Sequence, residues 1–267
     1  MVEGVAVNVF MIAPALKERQ CYGGGFFLST QTSELSACFD YFFRLTVLKR
    51  TKLLMGHRKY GLAEVLIMAF DGALRGARPP TPPATTSPAD NVPENVGATW
   101  DRQLSQRFMR VNHAGELSAQ GLYLGQAAVA RDTHTQQLLE HAAGEELAHL
   151  AWCQQRLDEL GGAPSRLAAG WYGGAYLLGA LSGLVGDRWS LGFLLETERQ
   201  VGNHLEDQLI KLPPNDRKSR AILLQMQRDE ARHAATAQRN GGAPLPLPVT
   251  FIMRLQALVM KTIAARL

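Results

Sequence analysis

A glutamate and a histidine three residues apart occur twice in this 267-residue chain, as Glu146-Leu-Ala-His149 and Glu230-Ala-Arg-His233. On an α-helix that spacing puts both side chains on one face, about 4.5 Å apart along the axis, where they can grip one ion. Each motif is preceded by a further carboxylate at a nearly matching distance: Glu116 stands 30 residues before Glu146, and Glu198 stands 32 before Glu230. A single pair would read as a solvated helix face. Two pairs in helical segments, repeated in order and spacing with their upstream carboxylates, read as the ligand set of a carboxylate-bridged di-iron or di-manganese site inside a bundle.

The donor types choose among metals. Carboxylate oxygen and imidazole nitrogen suit iron and manganese, and the thiolates that mark zinc or cluster sites are missing from the motifs, so iron is expected. In such a site Glu146 and Glu230 bridge the two ions, Glu116 and His149 complete one, and Glu198 and His233 complete the other. Of the acids just before the bridges, Asp229 is placed to orient an imidazole across the bundle. Glu145 reads as a surface residue. Cys153 shares the face of His149 but reads as a buried structural thiol.

Four helices must carry these ligands. The apolar pattern with its Gly and Pro stops predicts helices over roughly 101–130, 133–160, 189–211 and 215–240, and a last one over 249–266, with no competing strand pattern. Residues 167–186 are twenty uncharged positions, the length that nominates a membrane span. A crossing there would put half of the ligands on each side of a membrane. The segment is therefore expected to be a long apolar crossover that returns the chain along the bundle or dips into one leaflet, with Trp171 and Tyr172 at its interfacial edge. The fold class is all-α: a ferritin-like four-helix bundle with that crossover and an additional C-terminal amphipathic helix, filling residues 98–267.

Ahead of that domain, residues 77–97 carry six prolines and almost no large apolar side chains, which reads as a linker. Residues 55–76 contain one short amphipathic helix, marked by Leu62, Val65, Leu66, Met68, Ala69 and Phe70. Residues 1–54 show no period, motif or repeat and are expected to be poorly ordered or to precede the true start, with Met55 as the alternative initiator. The formal charge of +4 and pI near 9.1 admit an anionic partner. Basic and aromatic residues do not interleave as a nucleic-acid platform requires, so a membrane surface is the expected partner. The final helix fits it: Phe251, Ile252, Leu255, Leu258, Val259 and Ile263 form a stripe, and Arg254, Lys261 and Arg266 supply positive charge. Three cysteines build no disulfide framework and point to a reducing compartment.

Beyond the ligand spacing, the stretches Arg110-Val-Asn-His-Ala-Gly-Glu116, Glu146-Leu-Ala-His149-Leu-Ala-Trp152, Trp171-Tyr-Gly173, Ser182-Gly-Leu-Val-Gly-Asp-Arg188, Glu198-Arg-Gln-Val-Gly-Asn-His204 and Arg228-Asp-Glu-Ala-Arg-His233 resemble the demethoxyubiquinone hydroxylase family of ubiquinone biosynthesis, over about residues 100–267. The resemblance implies a di-iron monooxygenase that hydroxylates a ring carbon of a demethoxy polyprenyl benzoquinol (3-demethoxyubiquinol). It also implies dioxygen as cosubstrate and electrons that come ultimately from NADH through the quinol. Peripheral attachment to the cytoplasmic face of the inner (cell) membrane and a ubiquinone-biosynthesis complex as partner follow from it in the same way. The family's ligands fall on Glu116, Glu146, His149, Glu198, Glu230 and His233. Tyr123, seven residues after Glu116 and so back on the same helix face, is expected at the substrate cavity. His204 stands where the family has a histidine, six residues from Glu198 and so turned away from the ligand face, which suits a proton relay. Leu205 occupies a place where some members carry tyrosine. No Gly-x-Gly-x-x-Gly fingerprint is present, so no nucleotide domain is expected. Two other classes remain open: a ferritin-like iron-oxidising or peroxide-handling protein, and a non-enzymatic membrane isoprenoid carrier.

Overall fold

The computed structural model describes residues 86–97 and 99–267, together with Ala63, Glu64, Ile67 and Asp71, which are helical. The expectations for residues 1–54, and for 55–76 apart from these four positions, lie outside the described residues. Among the described residues the regular elements are all helices: α1 Thr99–Val129, α2 Thr133–Leu160, α3 Ala168–Val185, α4 Asp187–Lys211, α5 Arg217–Arg239 and α6 Leu247–Ala264. Several boundaries have a local cause. Asp132 caps α2 by accepting from the Thr135 amide, and Gly161 ends it with φ 72°, a left-handed conformation that costs glycine nothing. Asp216 caps α5 by accepting from the Ser219 amide. Pro213 and Pro214 stop α4. The α3–α4 corner turns on Gly186, and the Asp187 carboxylate then accepts from the Arg131 and Asp132 amides, fastening that corner to the α1–α2 turn.

The four helices that carry the motifs and the upstream glutamates form an all-helical bundle of the expected kind. α1 runs against α2, as Gln106 donating to the Leu160 carbonyl shows. It also runs against α4, through Asn112 with Gln208 and Gln126 with the Ser190 carbonyl. α2 runs against α5, with Arg156 on Ser219 and Cys153 beside Met226. Two apolar clusters fill the bundle: Leu122, Tyr123, Leu139, Ala142, Leu194 and Ala237 towards one end, and Met109, Cys153, Leu157, Leu205, Leu223 and Met226 towards the other. On every one of the four helices, the Glu and His residues of the motifs fall between these two layers.

The crossover is a helix in its own right, and it lies along the bundle. α3 runs parallel to α1 with backbone against backbone: a Cβ at Gly125 would collide with the Tyr176 carbonyl, and one at Gly179 with the Leu122 carbonyl. Contact this close needs small residues on both helices and is the physical role of the glycines in the uncharged stretch. It also corrects the expectation for Tyr172, which is buried against α1 and not at an interfacial edge; Trp171 is half-buried and donates to Ser165 Oγ. Gly179→Ala is expected to cost about 1–3 kcal/mol, because the neighbouring atom is backbone and cannot swing aside. Thermal unfolding of the variant beside the unaltered protein measures it.

The second half of the proline-rich stretch departs from the linker expectation. Residues 86–97 pack on the bundle with Ala89 and Val96 buried, Arg102 donating to the Val96 carbonyl and Glu94 paired with Arg156. Composition pointed to a linker because large apolar side chains are scarce there. The segment is held instead by charge. The Arg156 side chain is 0% exposed and sits among Glu94, Glu159 and Asp216, the last also 0% exposed.

Candidate metal centre

The two motifs and the two single glutamates converge at the middle of the bundle. His149 Nδ1 lies 2.9 Å from Glu146 Oε2, 3.3 Å from Glu230 Oε1 and 3.5 Å from Glu116 Oε2. His233 Nδ1 lies 3.4 Å from Glu146 Oε1, 3.5 Å from Glu230 Oε2 and 3.5 Å from Glu198 Oε1. Glu146 and Glu230 thus each turn one oxygen to either histidine, whereas Glu116 and Glu198 serve one side only. Glu116, Glu146, His149 and Glu230 form one set of four buried ligand atoms able to hold an ion, and Glu146, Glu198, Glu230 and His233 form a second set sharing two members with the first.

Outside the cluster each imidazole has a carboxylate partner. His149 Nε2 is 3.2 Å from Asp229 Oδ2, and His233 Nε2 is 2.8 Å from Glu145 Oε2. With Nε2 donating, an Nδ1 freed of its own proton would present its lone pair to an ion held among the carboxylates, the tautomer a metal ligand needs. Asp229 thus lies against the imidazole across the bundle. Glu145 does the same and is not the surface residue its position implied: it reaches across from α2 to α5, where it also meets Arg232. The signal was present in the repeat, since Glu145 and Asp229 hold the same place in the two halves. Asp229→Asn and Glu145→Gln are expected to weaken metal binding by roughly 10–100-fold each while leaving the fold intact. Metal titration of the two purified variants checks it.

The remaining sequence candidates separate. Tyr123 is fully buried and donates to Glu198 Oε1 at 2.6 Å, so it touches the cluster directly. The contacts of His204 lie elsewhere: it accepts from Gln208, which in turn accepts from Asn112, and burial with the nearby Lys261 charge lowers its pKa to about 4. It is a neutral acceptor, away from the six clustered side chains. A cavity of about 300 Å³ between α2, α4 and α5 reaches the outer side of His233, with Leu138, Ala142, Leu194, Glu145 and Arg232 in its wall.

Metal ions fit the chemistry of this donor set. Glu146 Oε1, Glu230 Oε1 and His233 Nδ1 are buried without hydrogen-bond partners, and four carboxylates so enclosed demand positive charge nearby. Two divalent cations would balance the four negative charges, with neutral imidazoles completing each set. Protons are the alternative. Burial and the surrounding carboxylates push Glu116 and Glu198 well above the usual carboxylate range, whereas Glu230, despite its burial, is held low by the neighbouring Glu198 and the two histidines.

Comparison with known proteins agrees with this geometry. The family model described as ubiquinone biosynthesis protein COQ7 matches residues 103–264. A protein of Xanthomonas euvesicatoria pv. vesicatoria named 3-demethoxyubiquinol 3-hydroxylase is 54% identical over 187 residues, covering 70% of this chain and 86% of that protein. One of the same name from Nitrosospira multiformis is 50% identical over 195 residues, covering 73% and 94%. The matched region holds both Glu-x-x-His motifs and both upstream glutamates, and the chain belongs to the COQ7 family of ubiquinone biosynthesis proteins, the demethoxyubiquinone hydroxylases.

Proposed function

We propose that this protein is a hydroxylating oxidoreductase of ubiquinone biosynthesis, a 3-demethoxyubiquinol 3-hydroxylase whose di-iron centre is held by Glu116, Glu146, His149, Glu198, Glu230 and His233. The observation that carries the reading is the pair of four-ligand sets sharing Glu146 and Glu230, in a chain half-identical to proteins of that name. Bound there, two ferrous ions would supply the two-metal reduction of dioxygen that puts one oxygen atom on the ring and releases the other as water. The chain's own share is positional. Glu146 and Glu230 hold both metal positions together, Asp229 and Glu145 fix the imidazoles, and the apolar layers above and below exclude water.

The substrate class fits the outside of the molecule. α6 alone among the described helices is long and apolar enough to cross a membrane, yet Met253 and Ala264 anchor it on the bundle beside α1. Phe251, Ile252, Leu255, Leu258 and Val259 are left exposed, and Leu181, Leu184 and Val185 of α3 add to the apolar surface. We read this as a peripheral lipid attachment suited to a prenyl-tailed quinol. Phe251→Asp with Leu255→Asp is expected to abolish most co-sedimentation with anionic vesicles while metal content stays unchanged.

The decisive experiment is turnover of iron-loaded protein with a short-tailed demethoxyubiquinol under ¹⁸O₂. One labelled oxygen in the hydroxylated ring supports the reading. Oxygen consumption driven by ferrous iron alone, with no ring product, would make this a ferritin-like oxidase. Failure to bind any iron would favour an isoprenoid carrier.

A further inference from the structure

The internal repeat makes the metal centre look symmetric, and one pair of positions breaks the symmetry. Glu116 on α1 and Glu198 on α4 are equivalent by the repeat, as are His149 and His233, and Asp229 and Glu145. Seven residues after Glu116 stands Tyr123; seven residues after Glu198 stands Leu205. Tyr123 crosses the bundle and donates its hydroxyl to Glu198 at 2.6 Å. Leu205 has no hydroxyl to return, and it lies fully buried in the apolar cluster with Met109, Cys153 and Met226. Glu116 consequently receives no hydroxyl or amide hydrogen bond among the described residues; its near polar neighbour is the His149 ring at 3.5 Å.

We propose that the two metal positions are unequal, with Tyr123 acting as a positioning residue that locks Glu198, so that the Glu198–His233 position binds its ion first and more tightly, while Glu116 is the carboxylate free to rearrange. A hydroxyl-to-carboxyl hydrogen bond of 2.6 Å to a fully buried acceptor is at the short end of such bonds and fixes both the rotamer and the face the carboxyl group presents. The phenol is the donor, as its ordinary protonated form at neutral pH requires. One contact acts in the opposite sense: Asp229, which orients His149, is more enclosed than Glu145, which orients His233. Both outer carboxylates make the same kind of bond to Nε2, however, and they act on the metal through an imidazole. The Tyr123 bond is made to a ligand itself, and its counterpart is absent outright.

This inference rests on reading the cluster as a two-metal site, and its test separates the two claims. Full-length apo protein is titrated with Co²⁺ under nitrogen, followed by calorimetry and by the visible cobalt bands. The unaltered chain is expected to bind two ions in two steps whose Kd values differ by tenfold or more. Tyr123→Phe, which removes only an oxygen atom, should weaken the tighter step by roughly 10–100-fold and leave the weaker one within a few-fold. Glu198→Gln should abolish the tight step, and Glu116→Gln should spare it. Two equal steps in the unaltered chain, or a Tyr123→Phe variant that is indistinguishable or weakened equally at both, would overturn the inequality while leaving the two-metal centre standing. No cobalt binding at all would overturn the centre itself. Unfolding temperatures of the apo variants, expected to match the unaltered chain, show that the change lies in the site and not in the fold.

Discussion

Glu146→Ala and Glu230→Ala are each expected to remove both metal ions and, with them, all measurable hydroxylation. The reason is the double contact each residue makes. Glu146 presents Oε2 to the His149 side and Oε1 to the His233 side, and Glu230 does the converse, so neither can be deleted from one half alone. Deleting a group that only orients a ligand costs roughly 10–100-fold in affinity, and losing a shared ligand should exceed that for both ions together. Glu116→Ala contrasts with them, since it faces one histidine only and should leave one ion bound. Metal analysis of the three purified variants decides it: two ions retained in either bridge variant would remove that residue from the centre.

The largest effect on stability is expected at Arg156, about two turns beyond His149 on α2. Arg156→Met strips the partner from Asp216, a carboxylate with no exposure of its own, and breaking a buried pair on one side costs about 3–5 kcal/mol. In a folded unit of this size that corresponds to a fall in Tm of roughly 10 °C. Adding Asp216→Asn should recover much of it, because asparagine still caps α5 and carries no charge. The same arginine sets an acid limit. Its hydrogen bond and charge hold Glu94 at about 2 against an ordinary 4.5, so the ionised pair stabilises the fold fully above pH 4.5, and that contribution is lost as the pH falls toward 2. Glu94 is partly exposed and screened, so the increment is small beside the Asp216 effect. Denaturation midpoints between pH 5 and pH 2 should show it in the unaltered chain and not in Arg156→Met.

How much of this was legible beforehand depended on whether the information was local. Helix ends were readable within two residues because Asp132, Gly161, the Pro213–Pro214 pair and Gly241 act on the backbone next to them. The convergence of the two Glu-x-x-His pairs was readable because a three-residue spacing on a helix survives any packing, and Glu116 and Glu198 because they repeat at a matching distance upstream. Glu145 was missed because its partner, His233, lies 88 residues away, and exposure of an acid cannot be judged before the bundle closes. The hold on residues 86–97 was missed for the same reason: its anchor, Arg156, is 62 residues on from Glu94 and looks like any other helical arginine. Tyr172 illustrates a subtler failure. An aromatic at the start of an apolar run suggests a lipid interface, but the glycines of α1 that draw α3 inward lie some fifty residues upstream.

The six clustered side chains are divided evenly between two helical hairpins, α1–α2 and α4–α5, each contributing Glu, Glu and His in the same order. Neither hairpin can complete even one four-residue set alone, since each set borrows a shared glutamate from the other. A chain carrying a single hairpin could build such a centre only by pairing with a second copy of itself. This polypeptide is, in that sense, a homodimer written end to end, with α3 as the splice that keeps the copies antiparallel. Fusion lifts the requirement that the copies remain identical, and a tyrosine could then persist in one where the other came to carry leucine.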